Sequence, residues 1–144
     1  MKKKKAYICF SLDAKTPEEF EENIRMAKQY ATEVSNMLDC WAVAIQSFLS
    51  ELLEDNNPER RKLAMDFKIR TLATCDMLVV CGIRITADMA MEMEAASDLG
   101  IPVLRYAEGK LYIKKDDFLL QMLLYLIVSG LLSDFTEEMD SSEL

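Results

Sequence analysis

Asp76-Met77-Leu78-Val79-Val80-Cys81-Gly82 carries a charge on its first residue and none after it. A short apolar run with β-branched residues, closed by a glycine, reads as a buried strand. It is the clearest strand in the chain. Downstream, Thr86 stands where a helix cap is needed, and the helix it opens runs to Gly100. Residues 101–106 form the next apolar run, and 111–113 add a short edge.

Upstream, Asn57-Pro58 pairs a capping residue with a first-turn proline. The helix it opens is expected to turn Leu63, Phe67 and Leu72 inward. Residues 40–45 read as a strand, and 46–54 as a short helix or ordered loop. Further back, Thr16-Pro17-Glu18-Glu19 has the form of a capping box. Phe20, Ile24, Ala27, Ala31, Val34 and Leu38 follow at helical spacing. Residues 6–12 form the first strand. Strands and helices alternate, so the chain is expected to be an α/β domain. Its sheet should have four to five strands, mainly parallel, with right-handed crossovers and helices on both faces.

Residues 118–128 are apolar except at Gln121. The run is too short for a membrane span, which needs about 20 residues. It reads as an apolar C-terminal helix buried on more than one side. Either a second subunit covers it, giving a homodimer or larger even-numbered oligomer, or one large core encloses it. The domain is expected over 1–133, followed by an acidic, frayed tail over 134–144.

The chain has 144 residues, 51% of them apolar, enough for one full core. Its formal net charge of −8 argues against a nucleic-acid partner, which requires a basic face. Lys2, Lys3, Lys4 and Lys5 read as a solvated leader to the first strand. Asp13 and Lys15 cut short the apolar stretch that a signal peptide would need. Cys9, Cys40, Cys75 and Cys81 lack metal-site spacing and sit in or beside apolar runs. Buried free thiols, and hence a reducing, cytoplasmic setting, are the expectation. There is no histidine, which excludes histidine-dependent triads, metal sites and proton shuttles. There is also no glycine-rich phosphate loop, and no metal or cofactor is implied.

Ligands of open α/β sheets bind at the carboxyl ends of strands, where strand order reverses. That brings the loop after the first strand, with Phe10 and Ser11, beside the loop from Gly82 to Asp88. The second loop enters a helix N-terminus, which favours an anion or an electron-rich ligand edge. Asp88 and Glu92 are four residues apart and share a helix face. They are either two solvated acids or a carboxylate nucleophile with an acidic neighbour, suited to attack at a sugar anomeric carbon. Arg84 is either an exposed loop arginine or a holder of phosphate or carboxylate. Asp76 caps a turn or serves the site. Met89, Met91 and Met93 read as core and pocket lining rather than a metal site.

Several of these residues also carry a family likeness. Tyr7-Ile8-Cys9, then Asn23-Ile24 with Ala27 and Tyr30, resembles the opening of nucleoside 2-deoxyribosyltransferase-like proteins, in their short bacterial and phage branch. Asn57-Pro58-Glu59 with Arg61 and Leu63, then Cys75-Asp76, fits the middle. Gly82-Ile83-Arg84-Ile85-Thr86, Met89, Glu92 and Gly100-Ile101-Pro102-Val103 fit the end. The likeness spans roughly residues 6–106. It implies a flavodoxin- or Rossmann-like three-layer sandwich, oligomeric, with pockets near subunit interfaces. It implies that Glu92 attacks C1′ of a nucleoside, and that Asp76 contacts the base or assists proton transfer. Tyr7, Phe10, Ser11, Gln46, Arg61, Gly82, Arg84, Thr86, Asp88 and Met89 complete the expected ligand site. Ser11 and Ala14 replace a proline and a glycine of that branch, Gln46 a histidine, and Asp88 a glycine.

Three readings follow. The chain is an enzyme that cleaves or transfers an N-glycosidic bond. Alternatively, it binds a nucleotide derivative without turnover, as a sensor or sequestering protein of the phage counter-defence type. In the third reading it is an oligomeric interaction protein with a vestigial pocket.

Overall fold

A computed structural model describes residues 3–50 and 57–112. The expected helix over 118–128 and the tail over 134–144 lie outside the described residues. The elements are β1 (Lys5–Cys9), α1 (Pro17–Leu38), β2 (Trp41–Val43), a 3-10 turn (Ile45–Ser47), α2 (Pro58–Leu72), β3 (Met77–Cys81), α3 (Ala87–Asp98), β4 (Val103–Ala107) and β5 (Lys110–Tyr112). The five strands form one sheet in the order β2-β1-β3-β4-β5. All neighbours are parallel except β4 and β5, which pair antiparallel through the tight turn at Glu108 and Gly109.

The helices begin where capping chemistry allows. Thr16 Oγ1 accepts from the Glu19 amide at 3.1 Å, and Pro17 fills the first turn. The Glu19 carboxylate reaches back to the Lys15 amide. Asn57 Oδ1 accepts from the Glu59 and Arg60 amides, and Thr86 Oγ1 from the Met89 amide. Each bond satisfies a donor that the helix cannot pair internally.

Alternate residues of β1 and β3 enter two separate cores, as a two-residue side-chain period requires. Ala6, Ile8, Val79 and Cys81 join Ala27 and Val34 of α1, with Phe20, Ile24, Ala31 and Leu38 packed against them. Tyr7, Cys9, Leu78 and Val80 join Leu72 of α2 and Met89, Met93 and Ala96 of α3. The inward face of α2 differs from expectation. Leu63 and Phe67 are 47% and 46% exposed, while Ala64, Lys68 and Leu72 are buried. The helix is rotated so that small Ala64 approaches the core. Its next inward position holds a lysine.

All four cysteines are free and buried. No helix among the described residues is long and apolar enough to cross a membrane.

Candidate active site

The chain leaves β1 toward β2 on one side, then returns to place β3 on the other. A cleft therefore opens beyond the carboxyl ends of β1 and β3. A cavity of about 590 Å³ occupies this position. The two loops expected to meet there do meet: Arg84 Nη2 donates to the Asp13 carbonyl at 3.0 Å.

Glu92 and Lys68 form the buried end of the cavity. Glu92, in the second turn of α3, is 2% exposed, and Lys68 is 5% exposed. Lys68 Nζ lies 3.1 Å from Glu92 Oε1. Burial raises the Glu92 pKa above the ordinary carboxylate value, while the Lys68 ammonium and the Tyr7 hydroxyl pull it partly back. Tyr7 is fully buried beneath the cavity, and among the described residues its hydroxyl has no hydrogen-bond partner of normal geometry. Desolvation and the nearby Glu92 charge hold its pKa well above the usual tyrosine value. Burial likewise raises the Cys9 thiol, so it stays protonated and unreactive.

Arg61 joins three elements at one wall. Its Nη2 lies 2.8 Å from Asp88 Oδ2 and 3.2 Å from Asp13 Oδ1. Partial burial alone would lower the Arg61 pKa; Asp88 and Asp13 outweigh it and raise the value. Gln46, only 2% exposed, also lines the cavity. Its Nε2 donates to the carbonyls of Phe10 at 2.9 Å and Ile8 at 3.3 Å. Two carbonyl partners fix the amide orientation, because an oxygen cannot donate. Gln46 Oε1 is left buried and, among the described residues, without a partner.

Of the residues expected at the site, Phe10, Ser11, Gln46, Arg61, Arg84, Asp88, Met89 and Glu92 line the cavity. Four others do not. Tyr7 lies below it. Thr86 is occupied as the α3 cap. Gly82, at φ +80°, turns the chain away from β3, and its carbonyl accepts from Arg105 Nη2 at 2.7 Å.

Asp76 lies at the far end of the sheet. It precedes β3 on the amino edge, is exposed, and accepts from the Lys5 amide at 2.8 Å. The five residues of β3 separate it from the cavity, about 16 Å at strand rise. Asp76 therefore ties β1 to β3 and does not act beside Glu92. Met91 is a smaller departure: it is exposed, while Met89 and Met93 are core.

The reading of the sequence missed Lys68. The available signal was its place midway between Ala64 and Leu72, one turn from each on the buried face.

The family described as Domain of unknown function (DUF7768) matches residues 4–106, which runs from β1 into β4 and includes every lining residue named above. The chain belongs to the DUF7768 family. No curated protein and no solved structure matches it significantly. Within this DUF7768 domain, the matched segment includes both members of the buried Lys68–Glu92 pair and the Arg61 junction.

Proposed function

We propose that this DUF7768 protein holds a nucleoside- or nucleotide-like small molecule at the carboxyl edge of its sheet, and that Glu92 cleaves or transfers its N-glycosidic bond. The observation that carries this reading is a buried carboxylate at the closed end of a cavity beside the β1–β3 switch point. A carboxylate out of water gains nucleophilicity, and formation of a glycosyl ester removes its buried charge. The strand order 2-1-3-4-5 supports a flavodoxin-like, three-layer class. Asp88, one turn before Glu92, takes the acid–base role that Asp76 cannot reach. Arg84 at the mouth faces an anionic group when the ligand carries one. The setting is cytoplasmic and the assembly an even-numbered homo-oligomer.

The test is nucleobase release from a panel of nucleosides and nucleoside monophosphates, followed by chromatography. Release by wild type that disappears in Glu92→Ala is the expected result. Equal release by both proteins, or none by either, removes the enzymatic reading.

A second reading is favoured by the ion pairs. Glu92 is bound to Lys68, and Asp88 to Arg61, so both acids are engaged before a ligand arrives. That suits a binder that sequesters or senses its ligand. Retention of an intact nucleotide derivative through purification, seen by native mass spectrometry, would identify it.

A further inference from the structure

We propose that Lys68 makes the cavity selective for ligands bearing a ribo-configured 2′-hydroxyl, because its ammonium lies 3.1 Å from Glu92 Oε1 at the cavity's closed end. The proposal rests on Glu92 being the group that faces the anomeric carbon.

The argument is stereochemical. In a β-nucleoside the base leaves from one face of the sugar, and a displacing carboxylate approaches from the other. The 2′-hydroxyl of ribose projects on that second face, one carbon from the reacting centre. A group held against the attacking carboxylate oxygen therefore lies beside this hydroxyl. Lys68 is such a group, and it lines the cavity. An ammonium has three donors and no acceptor. Among the described residues, Lys68 is paired with Glu92 alone. Its remaining donors match the 2′-oxygen, while the hydroxyl proton can be given to the Glu92 carboxylate.

A 2′-deoxy ligand puts a methylene at the same place. It expels water from a buried ammonium and returns no acceptor. A site built to bond a hydroxyl discriminates strongly against the analogue lacking it. Arabinosyl ligands carry the hydroxyl on the base's own face, so they gain nothing from Lys68.

The experiment compares adenosine, 2′-deoxyadenosine and arabinosyladenine, and the same trio for cytosine, as free nucleosides and 5′-monophosphates. Affinity is measured by calorimetry and base release by chromatography, on full-length wild type and Lys68→Met. The expected wild-type preference for ribo over both other sugars is on the order of 10–100-fold. It should collapse to within about threefold in Lys68→Met. Equal wild-type binding of ribo and deoxy ligands, or tighter deoxy binding, overturns the role of Lys68 and leaves the proposed ligand class standing. A ribo preference that survives in Lys68→Met also overturns it. Failure of every ligand to bind or react removes the ligand class itself, and the proposal with it. If Lys68→Met does not fold, affinities are compared between Glu92→Gln and the double variant Lys68→Met, Glu92→Gln, in which no bare charge is left; a ribo preference equal in the two overturns the role of Lys68.

Discussion

Lys68 on α2 and Glu92 on α3 meet at 3.1 Å with almost no exposure of either side chain, so each helix supplies the countercharge for the other's buried ion. Removing one partner leaves an uncompensated charge on a side chain that is almost wholly buried. Lys68→Met is expected to lose about 3–5 kcal/mol of stability. The double variant Lys68→Met, Glu92→Gln should lose less than Lys68→Met alone, because no bare charge remains. Urea unfolding of the four proteins of this cycle measures both effects.

The same carboxylate predicts a pH dependence. Burial raises the folded Glu92 pKa above its unfolded value of 4.5. A group with a raised folded pKa contributes most to stability below its unfolded pKa, and that contribution is lost as pH rises through the folded value. Stability of wild type relative to Glu92→Gln should therefore fall as pH climbs from about 4.5 toward the raised value. Denaturation curves taken every half pH unit would show it, and a flat difference would contradict it. Any base release should have an acid limb above the ordinary carboxylate range, since the nucleophile must be ionised.

Asp76 and Glu92 should separate cleanly by substitution. Asp76→Asn weakens the bond to the Lys5 amide and should cost about 1 kcal/mol, with ligand affinity and turnover intact. Glu92→Gln should abolish turnover. Parallel assays of melting temperature and base release on the two variants test this.

Gln46→Met should act on the first loop. It deprives the Phe10 and Ile8 carbonyls of a shared donor and should cost about 1–3 kcal/mol. Amide hydrogen exchange over residues 10–15 is expected to quicken. Unchanged exchange there would mean that Gln46 does not hold the loop.

Gly82→Ala tests the turn beyond β3. The position has φ +80°, and an added Cβ would lie 3.4 Å from the Phe10 ring and 3.5 Å from the Tyr30 hydroxyl. The strain of an alanine at positive φ should exceed about 1 kcal/mol. A melting temperature equal to wild type would be the contrary result.

The order of elements was legible because local chemistry marks it: Thr16, Asn57 and Thr86 cap helices, and the apolar runs between them become strands. Those marks also located the cavity, since the end of a parallel strand is fixed by its direction. What could not be read was rotation. Leu63 and Phe67 are the larger apolar residues of α2, and a count of hydrophobicity points them inward. Lys68 takes the core side instead, paired with the buried Glu92. That pairing spans helices 24 positions apart in sequence, beyond the reach of any local pattern. Asp76 was misjudged for a related reason. Family position linked it to Glu92, although a strand's two ends lie on opposite edges of the sheet.

The Arg61 junction has a kinetic consequence. It ties Asp13, before α1, to Asp88, in the first turn of α3, through a residue between them in sequence. Contacts between such distant segments are closed late, because the loop entropy of bringing them together must be overcome first. Until α2 and α3 have docked, Arg61 and Asp88 are not in place to complete the cavity. A ligand therefore finds nothing to hold until the last rearrangement is complete. It should leave the folding rate untouched and slow unfolding alone, so that occupancy registers as native-state lifetime.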